Sequence, residues 1–123
     1  MAIGIGTDII KISRITDTIS RSGDRLAVRV LTHDELKIYR EHAQPAAYLA
    51  KRFAAKEAAV KALGTGIGKV SWQDLQTTND ELGAPLLSAT GAAANIMQEK
   101  GATRLHLSLS DEEDFALAFV ILE

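Results

Sequence analysis

Glu57 and Asp8 are the two side chains whose type and setting ask for chemistry. Glu57 lies in the alanine-rich run RFAAKEAAVKALGTGIGK, residues 52–69. Helical counting puts it on one stripe with Leu49, Phe53, Val60 and Gly64, which turns its carboxylate toward the core side. An ionised carboxylate is costly to bury unless it is paired or binds a metal, so this position requires a partner. Asp8, at the end of a strand-like segment within GIGTDII of residues 4–10, is the candidate to share a cation with it. Two carboxylates without histidine or cysteine beside them suit a hard ion such as magnesium, which keeps waters and binds substrate phosphates. Spacing alone leaves simpler roles open: Glu57 paired with Lys61 one turn on, and Asp8 as a cap of the following helix. The glycines of GTGIGK, flanked by Lys61 and Lys69, also read two ways. Their amides could wrap a phosphate, or Gly64 could end a helix. The run is not a P-loop, because it follows a helix and its Gly-Lys is not followed by Ser or Thr.

Periodicity and turn chemistry define the elements that must carry these residues. Ile3 and Ile5 alternate with small residues over 2–7, predicting a short strand closed by Asp8, its glycines allowing close backbone approach. Ile12, Ile15 and Ile19 recur at helical spacing, with Lys11, Arg14 and Arg21 on another side and Ser22-Gly23 as the stop. Thr32-His33-Asp34-Glu35 has the form of a capping box, starting a helix that ends before Pro45. A long helix follows from about Ala46 to Leu63, terminated by Gly64. Val70 to Thr78 reads as extended, and Asn79-Asp80 with Gly83-Ala84-Pro85 turns it into a hairpin with Leu86-Leu87. Gly91 to Lys100 predicts a small helix ended by Gly101. Leu105, Leu107 and Leu109 then alternate with His106, Ser108 and Ser110, and the acidic turn Asp111–Asp114 leads into a last strand, Phe115–Leu122. This order, without internal repeat or linker, predicts a single α+β domain over 1–123 with antiparallel pairing.

The totals narrow the function classes. A chain of 123 residues can bury a real core yet keeps a large surface, which oligomerisation would relieve. The absence of cysteine excludes disulfides, thiolate metal sites and cysteine nucleophiles, and suits a cytoplasmic protein. The start, MAIGIGTDII, has no basic leader and carries Asp8 in its apolar stretch, unlike a signal peptide. FALAFVIL is too short for a membrane helix, which takes about 20 residues. The formal charge of -2 conceals an asymmetry: residues 11–29, with Lys11, Arg14, Arg21, Arg25 and Arg29, carry a net +3, leaving -5 on the rest. A basic patch on an acidic protein predicts an acidic partner with a definite docking place, and argues against nucleic acid.

GIGTDI and RFAAKEAAVKALGTGIG resemble the corresponding segments of holo-acyl-carrier-protein synthases, the short type of phosphopantetheinyl transferase. The resemblance extends through the Arg14 helix, RSGDRLAVRVLTHDE, the ELGAP turn and the two terminal strands. It implies the 4'-phosphopantetheinyl transferase-like fold, with antiparallel strands and a long central helix. It further implies transfer of phosphopantetheine from coenzyme A to a serine of acyl carrier protein, a step of fatty acid biosynthesis that releases adenosine 3',5'-bisphosphate. On this resemblance Asp8 and Glu57 hold magnesium, Lys61 neutralises the departing phosphate, and these three form the catalytic group. Arg52, Gly64, Thr65, Pro85 and His106 would join Lys61 in lining the coenzyme A site. Arg14, Arg21 and Arg25 would meet the carboxylates of the carrier. A homotrimer with active sites between subunits is also implied. At Asp111 the chain departs from the many members that have histidine there. Two rival readings keep the same residues: a magnesium-dependent hydrolase of a nucleotide or pyrophosphate, and a trimeric coenzyme A sensor without catalysis.

Overall fold

A computed structural model describes residues 1–123. Strand β1 (Gly4–Lys11) leads into helix α1 (Ile12–Ser22), followed by α2 (Arg25–Val30), α3 (His33–Glu41) and the long α4 (Pro45–Leu63). A short 3-10 turn, Trp72–Asp74, precedes the hairpin β2 (Leu75–Asn79) and β3 (Pro85–Ala89). Helix α5 (Gly91–Glu99), β4 (Leu105–Asp111) and β5 (Phe115–Leu122) complete the chain. The main sheet has the order β1-β5-β4 and is antiparallel throughout, and β2-β3 forms a separate antiparallel pair. The expected α+β class is what forms.

The central packing is α4 on the inner face of the sheet, and two glycines set its distance. A Cβ on Gly4 would lie 2.2 Å from the Ala62 carbonyl oxygen, and one on Gly6 would lie 2.0 Å from that of Ala58. Helix backbone therefore rests directly on strand backbone, as the glycines of GIGTDII suggested. Ala54, Ala55, Ala58, Ala59 and Ala62 line the helix with small, fully or nearly buried side chains, against Ala116, Ala118, Val120 and Leu122 of β5. Gly64 ends α4 in the left-handed region at φ 79°.

Several local expectations are corrected. The first strand does not close at Asp8 but continues to Lys11, because every residue from Gly4 to Lys11 finds a partner on β5. Helix α2 was not anticipated: RLAVRV spans only six residues, and no side chain caps its start at Asp24. The stretch expected as extended from Val70 begins with the 3-10 turn, since Ser71 and Asp74 cap each other, and pairing starts only at Leu75. The capping box at Thr32 and Glu35 forms as read, with both reciprocal bonds present.

Candidate active site

Alternation along β1 turns Gly4, Gly6, Asp8 and Ile10 toward α4. Because Gly4 packs on Ala62 and Gly6 on Ala58, Asp8 continues along the helix toward the turn that carries Glu57, within reach of the Lys61 side chain. There Lys61 Nζ donates to the Thr7 carbonyl oxygen at 2.9 Å and to Asp8 Oδ1 at 3.3 Å. The Asp8 side chain is only 17% exposed. Glu57 is half-buried one turn earlier, close enough to Asp8 to feel its charge. Burial first, and Asp8 second, push the Glu57 carboxyl above the ordinary range, while Lys61 pulls it down.

Neither simpler role survives this geometry. Lys11 is the N-cap of α1 and Asp8 lies within the strand, so Asp8 caps nothing. Lys61 takes Asp8 as its ion-pair partner, not Glu57. The expectation that Glu57 faces the core is only partly met, because the fully buried charge of α4 is its neighbour Lys56. Helix α4 is buried on most sides, so a stripe count could not tell which of two adjacent charged residues points inward. Two carboxylates that repel each other across a half-buried site, with oxygen donors only, fit a hard divalent cation. No third acidic, histidine or cysteine side chain joins them.

The glycine-rich segment forms a helix end and not an amide cradle. The N–H groups of Gly64, Thr65 and Gly66 all turn back on the Val60 carbonyl oxygen, at 3.0, 3.1 and 3.4 Å. Gly64 and Thr65 lie one turn beyond Lys61 in the chain.

The other expected coenzyme A residues lie apart within one chain. Arg52 is buried beside the hairpin, its guanidinium 4.3 Å over the Tyr48 ring and 3.5 Å from Asn79 Oδ1, and Asn79 pairs with Pro85. Its Nε has no hydrogen-bond partner. His106 is on the opposite face of the sheet from Asp8, where its Nε2 lies 2.9 Å from Glu123 Oε1. Asp111 lies 3.7 Å from Lys51 Nζ.

The basic helices border the carboxylates. Arg14, Arg21 and the acidic Asp17 line a groove of about 320 Å³ together with Ile10, Ile15, Leu26 and Phe53. Arg25 and Arg29 rim a hollow beside it. Of the groove's lining, Ile10 follows Asp8 on the same face of β1 and Phe53 precedes Glu57 by one turn of α4. The roomiest cleft, about 620 Å³, is on the other side of α1, between Ile12, Ile19, Pro45 and Glu112, away from these residues. Sequence reasoning missed Phe53 and Leu26 as groove floor and Arg29 as rim. Arg29 could have been found with the other arginines of the basic segment, whereas the floor depends on how α1, α2 and α4 converge.

A profile of the 4'-phosphopantetheinyl transferase superfamily matches residues 4–120. The chain is 56% identical over 122 residues to a holo-acyl-carrier-protein synthase of Shewanella denitrificans, covering 98% of this chain and 97% of that protein. Its fold is similar to the crystal structure of a holo-acyl-carrier-protein synthase from Neisseria meningitidis, with a TM-score of 0.93, 46% identity and coverage of 100% and 99%. It is also similar to that of such a synthase from Bacillus anthracis in complex with coenzyme A (3',5'-ADP), with a TM-score of 0.83, 37% identity and coverage of 100% and 97%.

Proposed function

The chain belongs to the 4'-phosphopantetheinyl transferase superfamily, and from that premise we propose that it is a holo-acyl-carrier-protein synthase, a single transferase domain over residues 1–123. It moves phosphopantetheine from coenzyme A to a serine of apo acyl carrier protein, in the cytoplasm and in service of fatty acid synthesis. The observation that carries this reading is the carboxylate pair Asp8 and Glu57, close enough for each to feel the other's charge, with Lys61 bonded to Asp8 beside them.

In the reaction the serine oxygen bonds to the phosphorus bearing the pantetheine arm. The bond from that phosphorus to adenosine 3',5'-bisphosphate breaks. Asp8 and Glu57 would hold magnesium, which supplies positive charge to the phosphate oxygens. Positioning and charge neutralisation carry most of such a transfer, so the roles of the side chains follow from their places. Lys61, half-exposed beside Asp8, offsets charge on the departing bisphosphate. Glu57, half-buried near Asp8, is the carboxylate placed to assist removal of the serine proton by way of a water. Gly64 and Thr65 border the diphosphate, and Arg14, Arg21 and Arg25 meet the acidic carrier.

Arg52, Pro85 and His106 act in the site of a neighbouring copy, in a homotrimer. Two features support this assembly. Over β1 and β5 the outer face of the main sheet is largely apolar, with Ile3, Ile5, Ile9, Phe115, Leu117 and Phe119 all exposed, a patch of the kind that a second copy would cover. The buried Arg52 Nε without a partner also fits a ligand arriving from outside the chain.

Intact-mass measurement of apo carrier incubated with coenzyme A and magnesium tests the reading. We expect the phosphopantetheine mass with the parent and none with Asp8→Ala or Glu57→Ala. An unmodified carrier beside the parent, or rapid bisphosphate release without any carrier, would reject it.

A further inference from the structure

Outside the site, the most heavily bonded polar cluster is a buried ion pair that the reaction does not use. Lys56 is 0% exposed and Glu35 1%. Lys56 Nζ donates to Glu35 Oε1 at 2.6 Å, to the Val30 carbonyl oxygen at 2.7 Å and to that of Trp72 at 3.2 Å. Glu35 in turn accepts from the Thr32 amide at 2.9 Å, the Thr77 amide at 2.7 Å and the Thr77 hydroxyl at 2.9 Å. One ammonium on α4 thus ties the end of α2, the start of α3, the 3-10 turn and β2 to that helix.

Stability alone is a weak reason for such a pair, because apolar replacements of buried ion pairs often fold as well or better. The surrounding helix suggests another. Twelve of the nineteen residues of α4 are buried, six of them alanine, so no single apolar stripe fixes its rotation. Gly4 and Gly6 set how near α4 comes to β1, but small alanines along the helix discriminate poorly between rotational settings. Three directed bonds from one ammonium do discriminate. Glu57 is the next residue, so the direction of Lys56 determines the direction of Glu57. A turn of about 20° at the outer radius of a helix, roughly 5–6 Å, moves a side chain by about 2 Å. Displacements of that size are enough to spoil a preorganised site.

We propose that Lys56, anchored by Glu35, is a positioning residue that fixes the rotation of α4 and so aims Glu57 at Asp8. This rests on the metal-site reading above. It assigns to the Lys-Glu dipeptide two separate duties: the glutamate faces the reacting groups, and the lysine points inward to hold it there.

Calorimetric titration with Mn²⁺ of protein loaded with adenosine 3',5'-bisphosphate separates the two claims. The parent should bind Mn²⁺ and Glu57→Gln should lose it. If the parent takes up no Mn²⁺, the metal-site reading falls and the positioning role with it. Given a binding parent, Lys56→Met should bind Mn²⁺ at least about tenfold more weakly, at a temperature well below its own melting point, and Lys56→Gln should lie between the two. A folded Lys56→Met that melts lower but binds Mn²⁺ within about twofold of the parent overturns the proposal, since a purely structural ion pair would behave that way. Should Lys56→Met not fold, Lys56→Gln, whose amide can still donate to part of the cluster, is held to the same twofold criterion.

Discussion

Glu57 is where charge, burial and reaction meet, and its behaviour without metal is informative. Its carboxyl is pushed up by burial first and by Asp8 second. A carboxyl raised by folding contributes stability that is full below its unfolded value, about 4.3, and lost as pH rises through the folded one. At neutral pH, metal-free protein therefore carries an ionised Glu57 at a cost. Glu57→Gln should raise the melting temperature at pH 7 by on the order of 2 °C, with the difference closing toward pH 4. Transfer by the same variant should fall at least about a hundredfold. A lower melting temperature for the variant at pH 7 would show that Glu57 has a stabilising partner and is not waiting for a cation. Asp8 and Glu57 stood out in the sequence as carboxylates inside apolar motifs, but spacing left their role open and the family resemblance supplied it. Lys56 did not stand out, because a helix buried nearly all round gives adjacent charged residues no pattern that tells them apart.

Among the elements, the contact of β1 with α4 positions the site. Gly6→Ala would push a methyl to 2.0 Å from the Ala58 carbonyl oxygen, which is backbone and cannot step aside. Such overpacking should cost about 3 kcal/mol, read as a lower denaturant midpoint, and transfer should drop with it as Asp8 moves away from Glu57. A midpoint within error of the parent would mean that strand and helix can separate freely. The basic helices make a different prediction. Arg14→Glu should raise the Michaelis constant for the carrier by about tenfold, less at high salt, and leave that for coenzyme A unchanged. An unaltered carrier constant would remove Arg14 from the docking surface. The long helices and the hairpin could be read from caps, glycines and alternation. The α2 helix could not, since RLAVRV has no capping side chain and its one turn and a half is stabilised by packing of Ala27 and Val30.

For the molecule as a whole, the apolar outer face of the sheet is the feature a single chain does not explain. On β1 and β5 the cross-strand pairs Ile5 with Ile121 and Ile9 with Leu117 run along that face, between Phe115 at one end and the Met1 end at the other. Ile5→Glu should convert the protein to monomers by analytical ultracentrifugation and abolish transfer, because Arg52 and His106 would no longer reach a neighbour's carboxylates. A monomeric, fully active variant would place the whole site in one chain. The acidic turn before FALAFVIL marked the strand, but both of its faces are apolar, so the residues alone could not say which face covers α4 and which is left exposed. Which residues gather in one site came from the family resemblance and not from spacing. The most direct test of the account is anomalous diffraction from crystals grown with Mn²⁺ and coenzyme A. It predicts one Mn²⁺ peak ligated by both Asp8 and Glu57 and by the diphosphate of coenzyme A. A peak that touches neither carboxylate, with the diphosphate bound elsewhere, would contradict it.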